Sequence, residues 1–119
     1  MKDQIKYIFR NLVDNAIRAI DEKGEAAGKI TLKTSLEEVY EVGWVVVTIQ
    51  DTGIGIPPEN LGRIFHRSFT TRPEGTVGGF GLFWVQLNVE RMGGRITVNS
   101  EVGVGTTFQV RLQRVITAD

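Results

Sequence analysis

The 119-residue chain has no cysteine, one histidine, three prolines and no excess charge of either sign, since 14 basic side chains match 14 acidic ones. The missing cysteine rules out disulfide staples and thiolate metal sites, and it fits a reducing compartment. Balanced charge leaves no polyanion-binding signature, which argues against nucleic acid as a primary partner. No long apolar run follows Met1-Lys2-Asp3-Gln4, so neither a signal peptide nor a membrane span is expected. Repeats and low-complexity stretches are absent as well. The length suits one core, and a single cytoplasmic domain over 1–119, without direct membrane contact, is the expectation.

What is present has clear periodicity. Ile5, Ile8, Phe9, Leu12, Ala16 and Ile20 recur at helical spacing, so a helix is predicted over 3–22. Ile30, Leu32, Thr34 and Leu36 alternate with polar residues and predict a strand over 29–36 with one buried face. Residues 37–43 read as a connection to an antiparallel neighbour at 44–50, where Val45-Val46-Val47 suit a buried sheet position. Pro57-Pro58 opens a short helix that Leu61 to Phe65 continue. Residues 66–79 lack any period and form a long loop of the kind that usually serves function. A helix over 82–92 ends at Gly93-Gly94, and strands at 95–100 and 106–112 make a hairpin through Gly103-Val104-Gly105. The expected architecture is α+β: a two-layer sandwich with helices on one face of a mixed, mostly antiparallel sheet.

Asp51-Thr52-Gly53-Ile54-Gly55-Ile56-Pro57 holds the most information. A carboxylate where an apolar strand emerges must find hydrogen-bond donors, or its desolvation costs several kcal/mol. Glycines beside it let the backbone turn sharply and allow a flat ligand to lie close. An amino-purine edge requires such an acceptor next to open backbone; a tight turn after a strand has the same composition. On the first helix, Asn11, Asn15 and Arg18 fall within one arc beside the apolar stripe, where they either line a cleft or border a solvated face. A carboxamide oxygen suits Mg²⁺ that keeps waters and phosphates. Gly78-Gly79-Phe80-Gly81 leads into the second helix, as an anion site or a hinge.

The order of these segments resembles the ATP-binding catalytic domain of sensor histidine kinases, in the superfamily shared with DNA gyrase, mismatch-repair MutL and a heat-shock chaperone. Phe9 to Ala16 matches the N box, Asp51 to Pro57 the G1 box and Ile64 to Arg72 the F box. Gly79 to Leu82 and Gly103 to Phe108 match the G2 box and the closing Gly-Thr motif. The resemblance implies that ATP and Mg²⁺ are bound, with Asn15 as metal ligand. It implies catalytic roles for Asn11, Asn15 and Arg72. Nucleotide-binding roles fall to Asn11, Asn15, Arg18, Asp51, Gly53, Gly55, Phe69, Thr70, Gly79, Gly81, Leu82 and Thr106. Asp51 would read the adenine amine, Thr106 would complete that pocket, and about 66–80 would form a mobile ATP lid. The implied reaction transfers the γ-phosphoryl group to a histidine on the dimerisation hairpin of the same full-length kinase. A response regulator is then reached indirectly.

Some positions depart from the pattern. Val77 stands where the G2 box usually has glycine, and His66, Arg67 and Ser68 replace the usual F-box residues. The strand commonly found ahead of the N-box helix has no counterpart, so an excised domain is expected. Asn11 separates the branches of the superfamily. Gyrase-like ATPases carry a glutamate there that activates water, and a carboxamide is no general base at neutral pH. A conformational ATPase and a degenerate binding module are the remaining alternatives. His66, the sole histidine, reads as a lid residue rather than the phosphoacceptor.

Overall fold

The computed structural model describes residues 2–25, 27–66 and 81–113. In chain order they form α1 (Lys2–Lys23), β1 (Ile30–Val39), β2 (Val42–Asp51), α2 (Pro58–Leu61), α3 (Gly81–Arg91), β3 (Arg95–Glu101) and β4 (Gly105–Gln113). The four strands lie in the order β1-β2-β4-β3. Every described pairing is antiparallel, so the mixed sheet expected from the sequence has no parallel pair among the described residues.

Register explains which face is apolar. Ile49 sits opposite both Leu32 and Phe108, and Val47 opposite Val110, which in turn faces Ile96. Directly opposed residues share a face, so these side chains form one apolar surface. The helices cover it: Ile8 and Leu12 of α1 and Val85 and Val89 of α3 are fully buried with Ile49 and Val110. Their i, i+4 spacing sets them on one helical stripe. Ile64, just past α2, closes the cluster, and Phe65 meets Phe108 edge-on at 6.3 Å. On the opposite face Arg111 of β4 reaches Glu37 of β1 at 3.4 Å, across the strand that carries Val46.

Three expectations change. β1 does have an apolar face, but Leu32 and Leu36 are 59% and 68% exposed. Among the described residues β1 is an outermost strand, and the core reaches its first residue, Ile30, but leaves Leu32 and Leu36 uncovered. The connection expected over 37–43 is mostly strand. The hairpin continues to Val39 and Val42 and turns on Tyr40 and Glu41 alone, with φ of 51° and 65°. Such tight turns usually carry Asn-Gly because both central residues need positive φ. The short helix also ends earlier than expected, at Leu61 rather than Phe65, with Gly62 capping back to Asn60.

Candidate functional site

Asp51 is the last residue of β2 and only 5% exposed. Its Oδ1 accepts hydrogen bonds from the backbone N–H of Gly53 at 2.8 Å and of Thr106 at 3.3 Å. Among the described residues its Oδ2 has no partner, yet it is not sealed from solvent. Half of the carboxylate is thus fixed by the fold and half is available. Burial pushes the carboxyl above its ordinary range, and the bonds from Gly53 and Thr106 oppose that shift.

The glycines beside Asp51 serve the protein first. A Cβ on Gly53 would stand 2.6 Å from the Ala19 carbonyl carbon of α1, and one on Gly55 would strike the Glu101 carbonyl oxygen. Each missing side chain therefore faces protein backbone. Ile54 N–H also donates to the Ala19 carbonyl at 3.0 Å, so the loop is docked directly on α1. On the far side, Ser100 Oγ accepts from Ile56 N–H at 2.8 Å and lies 2.8 Å from Thr106 Oγ1. It donates to the Gly105 carbonyl at 3.0 Å. Gly105 has φ of 147°, and a Cβ there would collide with the Asp51 carbonyl oxygen. Only glycine lets β4 approach β2 this closely.

Ser100 and Gly105 were not singled out from the sequence. The closing Gly-Thr motif held a signal for Gly105, but Ser100 lies in an ordinary alternating strand and carried none. Thr52 is a further addition: its hydroxyl accepts from Lys29 N–H at 2.8 Å, while its own N–H donates to the Lys29 carbonyl at 3.1 Å.

The α1 residues meet the site along its other wall. Asn15 Oδ1 accepts from Arg18 Nη2 at 3.0 Å. Arg18 Nη1 is buried without any partner, the one such side-chain atom among the described residues. An unpaired guanidinium N–H is costly to bury, so this atom is poised for an anionic acceptor. Asn11 donates through Nδ2 to the Tyr7 carbonyl at 2.8 Å. Its Oδ1 points to the start of α3, 3.0 Å from where a Gly81 Cβ would stand. Asp14 is exposed. Leu82 packs against the core cluster from the first turn of α3. Phe69, Thr70, Arg72 and Gly79, with nearly all of the expected lid, lie outside the described residues.

Among the described residues no cluster of three His, Cys, Asp or Glu side chains could hold a metal. The donors fit only a hard cation that arrives with its own oxygen ligands, for which a single Asn15 oxygen is an adequate anchor. A separate hollow of about 290 Å³, lined by Asp3, Gln4, Tyr7, Trp84 and Asn88, does not include Asp51. No described helix is long and apolar enough to cross a membrane.

The family described as histidine kinase-, DNA gyrase B-, and HSP90-like ATPase matches residues 1–116. The sensor kinase CckA of Brucella abortus is 37% identical over 124 residues, which cover 95% of this chain and 13% of that protein. The solved catalytic domain of histidine kinase ThkA superposes with a TM-score of 0.73 at 32% identity, covering 93% of this chain and 66% of that one. Full-length ShkA, solved in complex with AMPPNP, gives a TM-score of 0.76 at 28% identity over 97% of this chain and 22% of its own. The chain therefore spans a small part of the full-length sensor kinases it matches.

Proposed function

Because the chain belongs to the histidine kinase-, DNA gyrase B-, and HSP90-like ATPase family, we propose that it is the catalytic domain of a two-component sensor kinase. In this reading residues 1–119 form one cytoplasmic domain with an ATP lid at about 66–80. It binds ATP with Mg²⁺ and passes the γ-phosphoryl group to a histidine on a separate dimerisation hairpin. The observation that carries the reading is Asp51, a buried carboxylate with Oδ1 tied to two backbone N–H groups and Oδ2 left open. Oδ2 would accept from the exocyclic amine of adenine, and the carboxylate must be ionised to do so.

Arg18 Nη1, unpaired and buried, would donate to a phosphate oxygen. Asn15 would hold Mg²⁺, whose bound charge neutralises the phosphates. In the structure Asn15 Oδ1 already accepts from Arg18, and one oxygen does not suit two cations well. Arg18 turning to the phosphates would free that oxygen. Gly53, Gly55 and Thr106 shape the base end, and Asn11, Gly81 and Leu82 the phosphate end. Phe69, Thr70, Arg72 and Gly79 would act from the lid.

Asn11 supports phosphoryl transfer over hydrolysis, because a carboxamide takes no proton from water. A neutral imidazole needs no such base. Its nitrogen lone pair forms the P–N bond as the bond to the leaving ADP oxygen breaks, and catalysis is mainly positioning and charge neutralisation. The test is calorimetric titration with Mg–ATP, followed by transfer assays with a histidine hairpin supplied in trans. Asn15→Ala should abolish transfer, and His66→Ala should retain it. Acid-labile label on the lone chain that vanishes in His66→Ala would overturn the assignment. Rapid hydrolysis would favour the ATPase branch instead.

A further inference from the structure

Ser100 makes three contacts at the base end, yet the nucleotide reading gives it no task. It stands in register with Thr106, which in turn stands in register with Asp51. Directly opposed residues share a face, so Asp51, Thr106 and Ser100 form one polar rung across β2, β4 and β3. Asp51 and Thr106 are both buried, and every hydrogen on such a rung needs a destination.

The Ser100 hydroxyl has one hydrogen and two lone pairs to place. Its Oγ accepts from Ile56 N–H at 2.8 Å, and it lies 3.0 Å from the Gly105 carbonyl oxygen and 2.8 Å from Thr106 Oγ1. The hydrogen goes to Gly105, because a carbonyl can only accept and two bare oxygens at 3.0 Å would repel. One lone pair takes Ile56, and the other is left for Thr106. Thr106 is therefore the donor in the hydroxyl pair, and its single hydrogen points towards β3, away from Asp51. What the rung keeps for a ligand is acceptors alone. They are the open Oδ2 of the ionised Asp51 and the lone pairs of Thr106 Oγ1, which has no second partner among the described residues.

Building on the nucleotide reading, we propose that Ser100 is a positioning residue that sets base selectivity by holding the Thr106 hydroxyl as an acceptor. A 6-aminopurine brings N–H donors to an edge built from acceptors. A 6-oxopurine puts a carbonyl oxygen in the same place, with an N–H on the neighbouring ring nitrogen. In the pose of adenine its oxygen meets the Asp51 carboxylate and is repelled. A shifted pose would let the ring N–H donate to Oδ2, and the oxo group would then need a donor of its own. Thr106 carries the hydroxyl at hand, and Ser100 already holds its hydrogen. A polar group left unpaired in a binding site is a strong ground for rejection. Asp51 thus refuses one pose and Ser100 the other. Without Ser100 the Thr106 hydroxyl turns freely and serves either base.

Calorimetric titration of the 119-residue chain with Mg–ATP and with Mg–inosine triphosphate tests this, with the ratio of the two affinities as the readout. The parent should favour ATP, and Ser100→Ala should narrow that preference about tenfold, the worth of one hydrogen bond. A purely structural loss would weaken both nucleotides alike and leave the ratio in place. Ser100→Thr keeps the hydroxyl and should keep the preference. Ser100→Cys keeps the volume, but sulfur accepts weakly, so it should behave as the alanine variant and serves if that variant fails to fold. In a Thr106→Val background Ser100→Ala should no longer move the ratio. An unchanged ratio in folded Ser100→Ala or Ser100→Cys, a lost preference in folded Ser100→Thr, or a ratio that still moves without the Thr106 hydroxyl would overturn the proposal and leave the nucleotide reading standing. A parent chain that binds ATP no better than the Asp51→Ala variant would overturn that reading itself, and the role of Ser100 with it.

Discussion

The two ends of β2 are built on opposite principles. At the Asp51 end polar groups are buried and satisfied by backbone at close range, and glycines remove any side chain that would keep the strands apart. At the Tyr40 end apolar groups are exposed: Tyr40 is 97% and Val39 47% accessible, and the turn uses non-glycine residues at positive φ. One end places chemistry at the expense of sequence freedom. The other keeps that freedom and tolerates backbone strain, because Tyr40 and Val39 stand in solvent. Tolerance to substitution should therefore differ steeply along a single strand.

The largest effect should come from Gly105→Ala. The added methyl meets the Asp51 carbonyl oxygen, and φ of 147° is unsuited to alanine, so a loss of about 4 kcal/mol or outright misfolding is expected in denaturant titrations. A mild phenotype would show that the strands can part without harm.

Next is Asp51→Asn, which separates binding from stability. ATP binding should weaken by about 1.5–3 kcal/mol in calorimetry, while thermal stability at neutral pH should hold or rise. The sign follows from the raised carboxyl pKa. The folded chain holds this proton more tightly than the unfolded one, so the favourable contribution is present below the unfolded value and lost as pH rises through the folded one. ATP affinity of the parent should conversely fall as pH drops through that raised value. Parallel losses of stability and binding would break the distinction.

Ser100→Ala removes three hydrogen bonds at the same end and should cost about 1.5 kcal/mol, read as a shift in the denaturation midpoint. At the opposite end Glu41→Gly should gain about 1 kcal/mol by relieving positive φ. A loss there would indicate that the turn makes contacts of its own.

Much of the fold was legible because it depends on local periodicity. The α1 stripe, both hairpins and the Gly93-Gly94 stop all follow from spacing and turn chemistry. The exposure of Leu32 and Leu36 was not legible, since alternation reports that a strand has an apolar face and not whether a helix reaches it. The hairpin was read short because Tyr40-Glu41 lacks the glycine that marks a tight turn. At the site, Asp51 stood out as a carboxylate in an apolar setting. The Ser100 link depends on tertiary approach and no residue type announces it, whereas the Asn15–Arg18 bond spans one turn of α1 and follows the arc that helical spacing had placed those residues on.

The docking of the Asp51 loop on α1 has one more consequence. Ile54 bonds to the Ala19 carbonyl, and Gly53 rests on the same residue, one position along the chain from Arg18. The loop and the helix thus make a single rigid body, with Asp51 at one mark and Arg18 with Asn15 at another. A ligand that touches both meets a ruler of fixed length. Under the proposed reading, a nucleotide would be measured from base to phosphate rather than merely held, and molecules of the wrong span would be refused even with the right chemistry at each end.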